Sequence, residues 1–201
     1  STLANNTASN GRGGAIFNKR TNLTLVTTLI TDNQATGTSP SGRGGAIYST
    51  GNGGTASILM QNSTLSLNSA SANGGAIYAN FNTTLTLSGS TISGNTTNSS
   101  AGGILLFNNC PITLSSSSIS GNTANTFAGG IYLKTNSPLT MTSSSISGNT
   151  AGSRAGGIFA NSSSLTISSS SISGNTSGNN GGGIFGNSSP LTLTSSTISM
   201  N

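Results

Sequence analysis

The chain has 201 residues, of which 3% are charged and 4% aromatic, with six Lys and Arg against one acid, Asp32, and no His. The net charge of +5 reflects missing acids: Arg12, Lys19, Arg20, Arg43, Lys134 and Arg154 read as scattered, without a run or stripe. That argues against nucleic-acid binding, whose usual sign is clustered cations with aromatics, and no apolar run of about 18 residues encodes a membrane span.

Ser, Thr and Asn fill most of the remainder, but Ile and Thr recur too regularly for disorder. A surface of hydroxyls and amides with so little charge suits a secreted or cell-surface protein. Cys110 stands alone, so no internal disulfide is available; a free thiol in a turn is the plain reading.

Taken in chain order, one phrase repeats. An Ile preceded by "GG" or "GGA" falls at Ile16, Ile47, Ile77, Ile104, Ile131, Ile158 and Ile184, at spacings of 31, 30, 27, 27, 27 and 26. After each comes a phrase of the form "LTLxxSxISGN". Its first apolar position runs Leu23, Ile58, Leu85, Ile112, Leu139, Leu165, Leu191, and its second Leu25, Met60, Leu87, Leu114, Met141, Ile167, Leu193. Its third runs Ile30, Leu65, Ile92, Ile119, Ile146, Ile172, Ile198, and an Asn closes each copy at Asn33, Asn68, Asn95, Asn122, Asn149, Asn175 and Asn201. Length varies between these columns, where loops tolerate insertion.

"LTL" alternates apolar and polar, the period of a strand, and "STIS" and "GGIY" are short and rich in strand formers. The repeat therefore predicts three short strands and three turns. Columns that recur at coil spacing favour a solenoid over a sandwich of hairpins. The expected fold is all-β: a right-handed parallel three-sided β-helix of about seven coils of 26–31 residues. It would form one domain over residues 1–201, without a visible capping element, and a rod of roughly 30–35 Å. Ile16, Leu23, Leu25, Ile30 and their copies should face inward. Asn33 and its copies should turn the chain, in a left-handed conformation that Asn tolerates, and stack as an amide ladder. The Gly two before each Ile should mark a positive φ or a tight corner.

"GGAIY…LTLSGSTISGNT" resembles the repeats of bacterial right-handed parallel β-helix surface and secreted proteins, and its "GGAI" element is similar to that of polymorphic outer-membrane repeats. The resemblance covers essentially the whole chain. It implies the β-helix fold and an extracellular setting; function is less constrained, because such rods serve as passengers, adhesins, stalks and enzyme scaffolds.

Acid–base work on a glycosidic bond needs a carboxylate pair, and the only carboxylate, Asp32, stands in a turn position that most copies fill with Gly. A Ser nucleophile would lack a His base. Neither catalytic residues, a metal site nor a cofactor is expected.

Two outward features remain. Thr24, Thr86, Thr113, Thr140, Thr166 and Thr192 form a hydroxyl column, interrupted by Leu59, with a second rank of mostly Ser two residues on. Ranks of this kind resemble the ice-binding faces of some antifreeze solenoids, although exposed strand Thr also stacks well for its own sake. Phe17, Tyr48, Tyr78, Tyr132, Phe159 and Phe185 each follow the "GGI" Ile. If Ile points inward they alternate outward as an apolar stripe for sugar rings or a neighbouring rod; if the strand bends they join the core.

Finally, Ser1–Asn6, "STLANN", aligns with Ser196–Asn201, "STISMN", so Leu3 matches Ile198 and Asn6 matches Asn201. Ser1, Thr2, Leu3, Asn6, Ser196, Thr197, Ile198, Met200 and Asn201 form a candidate end-to-end interface, where a second copy is expected to continue the ladder and head-to-tail contact would build open filaments. The expected function is an extracellular structural rod partnered by itself. The alternatives are an adhesin or glycan-binding rod and an ice-binding protein.

Overall fold

The computed structural model describes residues 1–201, and every strand in it pairs in parallel with its copy in the next coil. Four ladders run the length of the rod. The "STIS" ladder has eight strands, from Thr2–Ala4 to Thr197–Ser199, and the "GGI" and "LTL" ladders have seven each, from Ile16–Lys19 to Ile184–Asn187 and from Asn22–Val26 to Leu191–Thr194.

The fourth ladder corrects the expectation of three strands per coil. Two-residue strands after each closing Asn, from Thr7–Ala8 to Thr176–Ser177, form their own seven-stranded ladder. They are too short to show a period, yet their second residue is Ala35, Ala70, Thr97, Ala124 or Ala151, small and buried at a corner.

The predicted columns supply one continuous core of 29 buried residues, including Ile47, Ile58, Met60 and Leu65 from a single coil. Columns stack at the strand spacing of about 4.8 Å, so Ile77 is in register with Ile47 and Ile104, and Ile58 with Leu23 and Leu85. A further inward column, Ala79, Leu106, Leu133 and Ala160, stands two residues after the anchoring Ile.

The amide ladder forms. Each Asn Nδ2 donates to the Oδ1 of the next: Asn6 to Asn33 at 2.8 Å, Asn33 to Asn68 at 2.9 Å, Asn95 to Asn122 at 2.9 Å, and so on to Asn201. The Asn backbone N–H also donates to that oxygen, and Nδ2 to a carbonyl of the preceding coil. One detail is corrected: the left-handed residue is the one before the Asn, Asp32 at φ 56 and Leu67 at φ 55, or a Gly as at Gly94 and Gly121. The corner is made there, which leaves the Asn free to turn its side chain inward.

The Gly two before each Ile sits in a tight corner, not at positive φ. A Cβ on Gly102 would lie 2.5 Å from Thr123 N and 2.7 Å from Gly129 O. Positive φ falls one residue earlier, at Gly13, Gly44, Gly74, Ala101, Ala128, Ala155 and Gly181.

A ladder of hydroxyls also went unforeseen. Ser63 N–H donates to Ser90 Oγ at 3.2 Å, and the pattern repeats through Ser117, Ser144, Ser170 and Ser196. A parallel row runs from Cys110 through Ser137 and Ser163 to Ser189.

Candidate functional site

The outer faces of the two long ladders carry the candidate residues. On the "LTL" sheet, Thr24, Thr86, Thr113, Thr140, Thr166 and Thr192 stand in one row, with Leu59 filling the second coil. All six Thr are exposed except the half-buried Thr86. The neighbouring rank is partly engaged: the Thr142 and Ser168 hydroxyls lie 3.1 Å apart, and Ser115 Oγ–H donates to Leu87 O at 3.4 Å.

On the "GGI" sheet the aromatics alternate outward, but they are neither an exposed stripe nor part of the inner core. Phe17 is 51% exposed and Phe185 half-buried, whereas Tyr48 is 2% exposed and Tyr78, Tyr132 and Phe159 are buried with it. They form an outer core with Ala101, Leu105, Ala128 and Ala155. Ring centroids lie 5.1 Å apart for Phe17–Tyr48, 5.4 Å for Tyr48–Tyr78 and 4.7 Å for Tyr132–Phe159, all stacked, which is favourable beyond the area buried.

Two columns flank these rings. Arg12, Arg43, Asn73 and Ser100 align across successive coils, as do Phe127 and Arg154, each four residues before its anchoring Ile. Lys19, Thr50, Asn80, Phe107, Lys134 and Asn161 align three residues after it. Arg12 lies 5.0 Å from the Tyr48 ring centroid and Arg43 4.9 Å from that of Tyr78; Nη1 of each donates to the tyrosine hydroxyl, at 3.2 and 3.3 Å. Lys134 sits 5.0 Å from the Phe107 ring and Arg154 5.4 Å from that of Phe185.

The cations read as scattered in sequence therefore gather on one face: five flank the aromatic column, and Arg20 follows in the adjoining turn. Their fixed offsets from the Ile, minus four and plus three, were the signal that would have found them. The one carboxylate, Asp32, lies elsewhere, in the turn after an "STIS" strand, accepting from Thr31 Oγ1 at 2.8 Å.

Burial raises the tyrosine hydroxyl pKa of Tyr78, against the opposing pull of Arg43, and raises that of Tyr132. Burial also pushes the Cys110 thiol up to about 11, and its Sγ–H donates to Phe107 O at 3.3 Å. The lone cysteine is a buried member of the core and of a serine row.

Thr2–Ala4 and Thr197–Ser199 lie at opposite edges of the same sheet. Ser196 and Asn201 accept from Ser170 N and Asn175 Nδ2, at 3.2 and 2.9 Å, and Asn6 opens the amide ladder at the other edge. The Ser1 ammonium donates to Thr27 O at 3.1 Å, and Leu3 is half-buried over Ile30. At the far edge, Leu191, Leu193 and Ile198 lie 43–45% exposed in columns that are buried in every interior coil, and Met200 is 87% exposed.

The two matching half-coils belong to the same ladder, which consequently has one strand more than the other three. A second copy set directly on the first, with Thr2–Ala4 on Thr197–Ser199, would leave the other three ladders one strand short.

These parallel ladders, with their inward aliphatic columns and polar ladders at the corners, define a β-helix. The model of the family described as a right handed beta helix region matches residues 1–157, and the chain belongs to that family. A search of curated proteins and a search of solved structures each returned no match.

Proposed function

We propose that the chain is a non-enzymatic structural rod of a secreted or cell-surface protein, lengthened by further coils of its own kind. The observation that carries this reading is the register: every strand pairs with its copy in the next coil, as Leu191, Leu193 and Ile198 do over the buried Leu165, Ile167 and Ile172. Another coil with the same columns would bury them and continue unpaired strand edges. The resemblance of the "GGAI" and "STISGN" phrases to bacterial surface repeats supports the extracellular setting.

A second copy is the partner proposed for those edges, and the overlapping half-coil sets a condition on it. Either Thr2–Ala4 of one copy or Thr197–Ser199 of the other must leave the shared ladder before all four ladders can run on. A chain lacking residues 1–6 meets that condition without displacement. Sedimentation velocity across a dilution series should show both chains self-associating, the shortened one at a concentration at least tenfold lower. Equal monomer sedimentation of both at every concentration would overturn the proposal.

A further inference from the structure

The outer face of the "GGI" sheet holds a groove of about 290 Å³ in the first three coils, lined by Arg12, Lys19 and Arg43, by Phe17 and Phe81, and by Asn80. Three features mark this groove, whose outermost strand, Ile16–Lys19, is the edge of the "GGI" ladder.

The first is charge. Three cations line one groove, and no carboxylate lies near it. Arg12 is held in place by Nε donating to Pro40 O at 3.0 Å, Arg43 by Nη2 donating to Ser39 Oγ at 2.9 Å, and each guanidinium packs on its tyrosine. Such preorganised forks favour an oxyanion, because little side-chain freedom remains to be lost on binding. The second is an unmet polar requirement: Asn80 is 5% exposed and its Oδ1 has no hydrogen-bond partner, nor has the Nε of Arg43. Unsatisfied buried polar atoms are costly, and these two await an acceptor for the arginine and a donor for the amide oxygen. The third is aromatic surface, since Phe17 and Phe81 are 51% and 39% exposed.

We infer that this groove binds a sulfated sugar. A sulfate ester offers three oxygens to the three cations, where a carboxylate offers two. A sugar hydroxyl supplies the donor that Asn80 Oδ1 lacks and that a bare inorganic anion cannot provide. The C–H face of a sugar ring covers Phe17 or Phe81.

The test is isothermal titration of the full chain with a κ-carrageenan tetrasaccharide, which carries sulfate esters beside free hydroxyls, against its desulfated form, polyglutamate and a thymidine decanucleotide, at an ionic strength of about 0.1 M, where separated exposed charges are largely screened. The sulfated tetrasaccharide should bind and the other three should bind at least tenfold more weakly. Lys19→Gln, at an exposed position that leaves the fold intact, and Arg12→Gln should each weaken binding about threefold. Lys134→Gln, four coils along, should leave it unchanged. Absence of binding, equal loss in Lys134→Gln, or undiminished binding in Lys19→Gln would overturn the inference. Tighter binding of polyglutamate or the oligonucleotide would overturn it in favour of a carboxylated or nucleic-acid partner. Self-association of the unmodified chain is read separately by sedimentation, which separates failure of this site from failure of the rod.

Discussion

Asn122 Nδ2 donates to Ile92 O and to Asn149 Oδ1, while its own Oδ1 accepts both from Asn95 N and from Asn95 Nδ2. Truncating it strands several fully buried partners at once, and each unsatisfied group costs more than the bond it replaces returned. Asn122→Ala should therefore lower stability by about 3 kcal/mol. Asn6→Ala, at an exposed edge, should cost under about 1 kcal/mol; equal losses by urea denaturation would contradict the ladder's role. Cys110 makes a second residue-scale prediction. With its thiol pushed to about 11 by burial, it should resist alkylation in the folded chain at pH 8 and react fully once unfolded. The same shift has a sign in stability. Below the ordinary thiol value of 9.0 both states are protonated; from there to about 11 only the unfolded chain ionises, so stability should fall as pH rises through that window. The raised Tyr78 and Tyr132 hydroxyls act in the same direction at alkaline pH.

Among the elements, the inward columns of the "STIS", "GGI" and "LTL" strands were readable because alternation and coil spacing both mark them. The Asn ladder was readable because an Asn stands three residues after each "STIS" aliphatic, as Asn33 after Ile30 and Asn95 after Ile92. The two-residue ladder was not, since Thr7–Ala8 and its copies are shorter than any period. The serine rows stayed hidden because a buried Ser90 and an exposed Ser116 look alike in a Ser-rich chain. The aromatic column's environment depends on residues four before the Ile and on Ala101, Ala128 and Ala155, which fold over the rings. Two glycines test the corners. Gly102→Ala would press its Cβ onto Thr123 and Gly129 backbone and should cost about 3 kcal/mol. Gly121→Ala, at φ 62 with its nearest neighbour 3.9 Å away, should cost about 1 kcal/mol from backbone strain alone. On the "LTL" sheet, Leu59 and Val26 interrupt the two hydroxyl ranks and Thr142 and Ser168 bond one another. A dilute solution should leave growing ice crystals as unfaceted discs, and faceting would instead assign the Thr face to ice.

At the scale of the whole molecule, each coil is held by its neighbours and none is independent, so the rod's stability is a sum over coils and their contacts. Leu191, Leu193 and Ile198, 43–45% exposed, are the columns that the proposed further coils would bury. The cationic, aromatic-lined groove opens on the outer "GGI" face, where Phe17 and Lys19 stand on that ladder's edge strand. Electron microscopy of the chain lacking residues 1–6, imaged across dilution, tests the central claim most directly. The account predicts unbranched filaments one rod wide that shorten on dilution. Single rods of about 34 Å at every concentration, or lateral sheets of rods, would contradict it.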